Sequence, residues 1–194
     1  MAKRTGFTLI ELLITLMIGG VILALAAQVI TSHIRTTSRQ EVLQRLRDHW
    51  GRINHLINTE ALEGAELETD QQTTGCKDDT KSGLTIYLPG RSHPIHYYTV
   101  FQEDSLESSL WRCGPDVEDN GQLADETVQD FQPVTTLVAK HAALAAKPDS
   151  ETEERHHEMG YTLTLTAQSN GQAISYEAAS RAETTARTYP PPTE

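Results

Sequence analysis

Few residues in this 194-residue chain are of a type and spacing that could do chemistry, and the first is an acid in an unfavourable place. Glu11 lies inside FTLIELLITLMIGGVILALAAQVI, residues 7–30, a run that is otherwise almost entirely apolar. A carboxylic acid at that depth is costly unless something neutralises it, so an intramembrane acid marks a functional site by default. The matching chemistry is pairing with a cation at the same depth. Cys76 and Cys113 are the second candidate. An even cysteine count in a chain expected to leave the cytoplasm predicts one disulfide, whose loop closure contributes about 3–4 kcal/mol; two unpaired buried thiols are the competing reading. Zinc and redox motifs need two cysteines close together, and these are not.

Other polar groups lack the spacing their chemistry needs. His93 and His96, and His156-His157 with Glu151, Glu153, Glu154 and Glu158, follow no ligand spacing and are expected as exposed loop side chains, so no metal site is assigned. Asp116, Glu118 and Asp119 before Asn120-Gly121 lack the ligand ladder and closing Glu of a calcium loop, and predict a turn. No Gly-Xaa-Ser-Xaa-Gly, phosphate loop or Cys–His pairing is present. No residue is assigned a catalytic role, no cofactor is implied, and the chain is not expected to be an enzyme.

The elements that position Glu11 and the cysteines follow from hydropathy. Residues 7–30 as a helix span roughly 36 Å, enough to cross a bilayer. Gly19-Gly20 sits mid-span, each glycine weakening a helix by roughly 1 kcal/mol relative to Ala, and fits close helix–helix packing. Beyond Ile30 the pattern turns amphipathic. Leu43, Leu46, Trp50, Ile53 and Ile57 recur at three- and four-residue intervals, with Arg39, Arg45, Arg47, Arg52 and Glu60 between them. One helix from about residue 7 to 62 is expected, with Thr36-Thr37-Ser38 its weak spot and Trp50 a core anchor.

Residues 64–83 read as loop. Alternation predicts strands at Leu84–Leu88, through Ile95, Tyr97 and Val100, at Ser109–Cys113, and at Tyr161–Ala167, with Pro89-Gly90-Arg91-Ser92 joining the first two. Asn170-Gly171 then leads into Ala173–Ala178 as a hairpin. Residues 139–158 are expected as a mobile insertion with one helical turn near His141–Ala146, and the Pro190-Pro191-Pro192 tail as extended. The fold class expected is α+β: a long stem helix packed on an antiparallel β-sheet head.

Charge bounds the partners. The formal net charge of −11 argues against a broad surface for nucleic acid or anionic lipid, while leaving room for a local basic patch. Lys3 and Arg4 precede the span and most acids lie beyond residue 59, which places the N-terminus on the cytoplasmic side. A cleaved secretory signal ending at Ala24-Leu25-Ala26 competes, as does a plain signal anchor. Against the first stand an apolar region of about twenty residues, longer than the usual 7–15, and Glu11 within it.

The stretch Lys3-Arg4-Thr5-Gly6-Phe7-Thr8-Leu9-Ile10-Glu11 resembles the processing site of type IV prepilins and type II secretion pseudopilins, over about the first thirty residues. The resemblance implies cleavage after Gly6 by a prepilin peptidase, which also N-methylates Phe7, and pairing of Glu11 with the N-terminal amine of a neighbouring subunit during assembly. It implies major and minor pilin subunits and an inner-membrane assembly platform as partners, with lipid around the N-terminal helix. The implied location is the inner membrane, single-pass with the head extracytoplasmic, and then the pilus or cell surface. The expected parts are a leader (1–6), a transmembrane and filament-core helix (7–30), an amphipathic helix (31–62), a β-rich head (63–187) and a proline-rich tail (188–194). Pilin helices can lose helicity near the paired glycines, but many major pilins carry a proline where this chain has Gln28. Leu110-Trp111-Arg112-Cys113 and the turn after it resemble J-type pseudopilins and W-type minor pilins. A tip-most pseudopilin usually lacks the acid, so Glu11 points to a minor subunit near the tip and not at it.

Overall fold

The structure is a computed structural model that describes residues 8–69, 76, 83–101, 108–118, 122–124, 131–148, 157–169 and 171–185. It has one long N-terminal helix followed by antiparallel sheet, an α+β fold. Helix α1 (Leu9–Glu63) is followed by β1 (Glu66–Thr69), β2 (Gly83–Tyr87), β3 (Ile95–Phe101), β4 (Ser108–Gly114), β5 (Val134–Lys140), β6 (Ala142–Pro148), β7 (Glu158–Ser169) and β8 (Gln172–Glu183). The chain divides into two units, Met1–Val42 and Leu43–Glu194.

In the first unit every residue from Thr8 to Thr37 is exposed. The helix runs unbroken through Gly19-Gly20 and through Thr36-Thr37-Ser38. Threonine hydroxyls in this stretch fold back onto the backbone, Thr31 Oγ1 to Ala27 O at 2.8 Å and Thr36 Oγ1 to Ser32 O at 3.0 Å, so they stay inside the helix rather than competing with it.

In the second unit strands β1 to β5 form one sheet in sequence order, and β6 to β8 form another. Alternation assigns the faces. Leu67, Leu84, Ile86, Ile95, Tyr97, Thr99, Leu110 and Arg112 share one face of the five-stranded sheet, where Glu60 of α1 reaches Tyr97 and Arg112. Leu46, Ile53, Ile57 and Ala61 are the buried apolar residues of the helix. Strand β6 meets the same face: Leu144 N donates to Thr99 Oγ1 at 2.9 Å, and the hydroxyl donates back to Leu144 O at 3.3 Å. That one hydroxyl satisfies both polar groups of a residue on an edge strand. Position 83 in β2 takes a glycine because a Cβ there would collide with the Tyr97 carbonyl. Gly171, with φ of 76°, supplies the left-handed conformation the β7–β8 turn needs.

Three expectations need correcting. The loop expected over residues 64–83 contains β1, whose Leu67 is buried against Ile86 across the ladder; from residue 70 on, that loop lies outside the described residues apart from Cys76 and Gly83. The helical turn expected near His141–Ala146 is instead β6. Alanine favours helix in isolation, but pairing along β7 and burial of Ala142 and Leu144 override a propensity of that size. Strand β5 was not expected at all. It pairs with β4 through a bulge between Leu110 and Trp111, which disrupts the alternation on which strand recognition depends. The segment 149–156 and the tail 188–194 lie outside the described residues.

Between β5 and β6 a single residue, His141, carries the chain from one sheet to the other at φ of 54°, and its carbonyl accepts Thr166 N at 2.8 Å.

Candidate functional site

Three groups of residues remain once the scaffold is accounted for: the start of α1, the contact of α1 with the sheets, and the face of the five-stranded sheet opposite Tyr97 and Arg112.

At the start of α1, Gly6 and Phe7 lie outside the described residues. Glu11 is exposed in the first helical turn. Thr8 N donates to Glu11 Oε2 at 3.0 Å, Thr8 Oγ1 donates to the same oxygen at 2.9 Å, and Glu11 N approaches Thr8 Oγ1 at 3.4 Å. This is a capping box, Thr-Leu-Ile-Glu, in which two side chains satisfy each other's backbone donors at the helix N-terminus. The carboxylate also sits at the positive end of the helix dipole. One residue thus closes its own helix and presents a charge at the entrance of the span. The sequence pattern T-x-x-E contained this signal.

The helix from Leu9 is the one element among the described residues long and apolar enough to cross a membrane, with a mean hydropathy of 2.5 in its most apolar window. Its large apolar side chains, from Leu9 to Ile30, all face outward in the isolated chain.

Where α1 meets the five-stranded sheet, Glu60 is buried together with Tyr97 and Arg112. Tyr97 donates to Glu60 Oε2 at 2.5 Å, Arg112 Nε donates to Oε1 at 2.8 Å, and Arg112 Nη1 donates to Pro115 O at 3.0 Å. Burial pushes the Glu60 carboxyl above its ordinary range although the Arg112 guanidinium pulls it down. Burial, then the Glu60 carboxylate, push the Tyr97 hydroxyl well up. A buried carboxylate with two donors is a specific latch: it fits one register of helix against sheet and leaves unpaired charge in any other. Sequence reading placed Glu60 among the polar positions of the helix. Its seven-residue spacing from Ile53 and three-residue spacing from Ile57 put it on the apolar stripe, which was the available signal.

Against the three-stranded sheet, Tyr161 donates to Asn54 Oδ1 at 2.6 Å, and Trp50 packs edge-on to Tyr176 with ring centres 6.3 Å apart. Arg47 lies 5.6 Å over the same Tyr176 ring.

On the other face of the five-stranded sheet, Cys76 and Cys113 are joined in a disulfide with Cα atoms 6.0 Å apart, in a cluster with Tyr98, Val100 and Trp111. Glu68, Thr85 and His96 form a row across β1, β2 and β3 beside Cys113. His96 corrects the expectation of an exposed loop histidine: it is buried in β3, with Nδ1 2.8 Å from Thr85 Oγ1 and its ring stacked on Tyr98. His157 is exposed and its Nδ1 lies 3.0 Å from Ala65 O, while His156 and Glu151, Glu153 and Glu154 fall outside the described residues. Val117 bridges Leu123 across the turn expected after Asp116. Among the described residues no group of three or more His, Cys, Asp or Glu side chains is placed to hold a metal.

No curated protein and no solved structure matches the chain. Residues 1–27 match the family model of the prokaryotic N-terminal methylation motif. That match covers Lys3-Arg4, Gly6-Phe7 and the Thr8–Glu11 box together, and supports placing the chain in the type IV pilin and pseudopilin superfamily by its class III N-terminal signal.

Proposed function

We propose that this protein is a minor type IV pilin-like structural subunit. A prepilin peptidase removes residues 1–6 and N-methylates Phe7. Residues 7–30 then hold the subunit in the inner membrane with the N-terminus cytoplasmic, residues 31–62 continue as the amphipathic helix, residues 63–187 form the extracytoplasmic head, and 188–194 are its tail. From there the subunit joins, or primes, a filament that serves motility, adhesion or DNA uptake, through contacts with major and minor subunits and the inner-membrane assembly platform. It acts as a structural part rather than as an enzyme.

The observation that carries this reading is Glu11, an acid kept inside the matched motif five residues after Gly6. Cleavage leaves an ammonium on Phe7, and Glu11 offers the opposite charge at nearly the same depth. Buried together the two cost far less than either alone, and a subunit entering in the wrong register leaves both unpaired. The pair therefore acts on assembly more than on insertion, since a neutral residue at position 11 only makes the span more apolar.

The test is N-terminal sequencing and intact mass of the mature protein from membranes, followed by Glu11→Gln and Glu11→Val. The expected result is N-methyl-Phe7 as the first residue, normal membrane levels of both variants, and loss of both from filaments. Mature protein beginning at Ala27 overturns the reading. The same motif serves type II secretion pseudopilins, so a deletion strain decides the system: lost surface pili with intact secretion supports the pilus, and the reverse moves the subunit to the secretion apparatus.

A further inference from the structure

Arg35 and Arg39 stand out by position: they lie just beyond the apolar run, and the protein gives them nothing to do there. Both are exposed, and neither makes an ion pair or side-chain hydrogen bond among the described residues. Other arginines are engaged: Arg47 over Tyr176, Arg91 on the Leu123 and Ala124 carbonyls, Arg112 with Glu60 and Arg181 with Glu158. Spaced four apart, Arg35 and Arg39 share one helix face, and Glu41 lies about 200° around the helix from Arg39.

Their depth is specific. Ile30 ends the apolar run, and at a helical rise of 1.5 Å per residue Arg35 falls about 7–8 Å beyond it and Arg39 about 13–14 Å. The headgroup layer occupies about 5–8 Å on each side of the hydrocarbon. Helical side chains lean toward the N-terminus, which here is toward the span, so a long Arg39 side chain reaches back to the same layer as Arg35. Neighbouring Thr31 and Thr36 hydroxyls are already bonded to their own helix, and the two guanidinium groups are the permanently charged donors at this level.

We propose that the Arg35–Arg39 face of α1 is a docking collar for anionic phospholipid headgroups in the leaflet at the Ile30 end of the span. A guanidinium binds phosphate oxygens through paired donors, which suits it to this ligand. Charge elsewhere sharpens the assignment. Beyond Thr59 the chain carries 24 of its 27 acids against nine of its 16 lysines and arginines, so that part repels an anionic leaflet and the collar attracts it. The inference rests on the reading of residues 7–30 as a membrane anchor.

The test uses the full-length chain in nanodiscs of mixed phosphatidylglycerol and phosphatidylcholine, with the lipids that stay bound counted by native mass spectrometry. Wild type should retain phosphatidylglycerol in preference to phosphatidylcholine. That preference should fall about fivefold on Arg35→Gln or Arg39→Gln and about 25-fold when both are changed. Arg52→Gln, an equally exposed arginine about 33 Å beyond Ile30, should keep the wild-type ratio. A bulk lipid ratio in wild type overturns the collar, as does an equal loss in Arg52→Gln. A salt-sensitive dimer lost with both arginines, without lipid preference, gives the face to the acidic surface of a second copy and overturns it too. A chain that leaves the discs altogether overturns the membrane anchor itself, an outcome distinct from retention without enrichment.

Discussion

Leu9–Val42 and Leu43–Glu63 belong to the same helix and are maintained in opposite ways. In the first stretch Leu12, Leu16, Ile22 and Leu25 are all exposed; in the second Leu46, Ile53 and Ile57 are buried against strands of the same chain. As far as Ile30 the first is apolar on nearly all sides, the pattern of a helix whose partners are lipid or other helices. The second is apolar on one stripe and finds its partner within the subunit. The contrast separates two kinds of acid as well. Glu11 is exposed and bonded to its own helix end, while Glu60 is buried and bonded to two strands. A mutation therefore reports on assembly or on folding according to where along α1 it falls.

The sharpest attempt to break this comparison exchanges the two acids for alanine. Glu60→Ala leaves Arg112 buried without its counter-charge and should cost roughly 3–5 kcal/mol. Glu11→Ala should leave head stability unchanged. Guanidinium unfolding of the full chain in micelles, read by Trp50 and Trp111 fluorescence, measures both; equal effects would falsify the division. Next in size is the apolar pair. Ile57→Ala should cost about 2–5 kcal/mol, and Ile22→Ala should not move the same midpoint. Reduction of Cys76–Cys113 should lower stability by about 2–4 kcal/mol, with head unfolding shifted and helix content retained; an unchanged midpoint after verified reduction removes the disulfide as a support of the head.

The smallest expected effect is a slope. Glu60 has a native pKa raised above the ordinary 4.5, mainly by burial. As pH rises through the window from 4.5 to that raised value, the unfolded chain releases its proton first. Glu60 therefore contributes stability below the window and loses it as pH passes through the native pKa. Wild type minus Glu60→Gln stability, measured across pH 4 to 7, should fall with pH; a rising difference shows that Arg112 dominates over burial.

The sequence made α1 legible because a stripe of Leu46, Trp50, Ile53 and Ile57 needs no knowledge of tertiary structure. Strands β2, β3, β4, β7 and β8 were legible from alternation for the same reason. Strand β6 was not, because its alanines favour helix until β7 is present to pair with them. Strand β1 is four residues long with two acids, and only its register against β2 shows why Leu67 is buried. At the helix start the Gly6-Phe7 and Glu11 pattern was legible in full, while the cap by Thr8 went unread. The Glu60–Tyr97–Arg112 latch and the Thr85–His96 pair were out of reach, since each joins residues whose proximity depends on strand register.

His141 has a mechanical consequence. It is the whole of the covalent connection between two sheets, and its left-handed backbone leaves few alternative conformations for a residue with a Cβ. A one-residue corner has no slack, so tension applied to either sheet passes to the other as shear instead of first pulling out a loop. Lengthening that corner by Gly-Ser after His141 should add little loop entropy and barely change the denaturant midpoint. It should lower the force at which the head opens under single-molecule pulling, making the corner a determinant of toughness rather than of equilibrium stability.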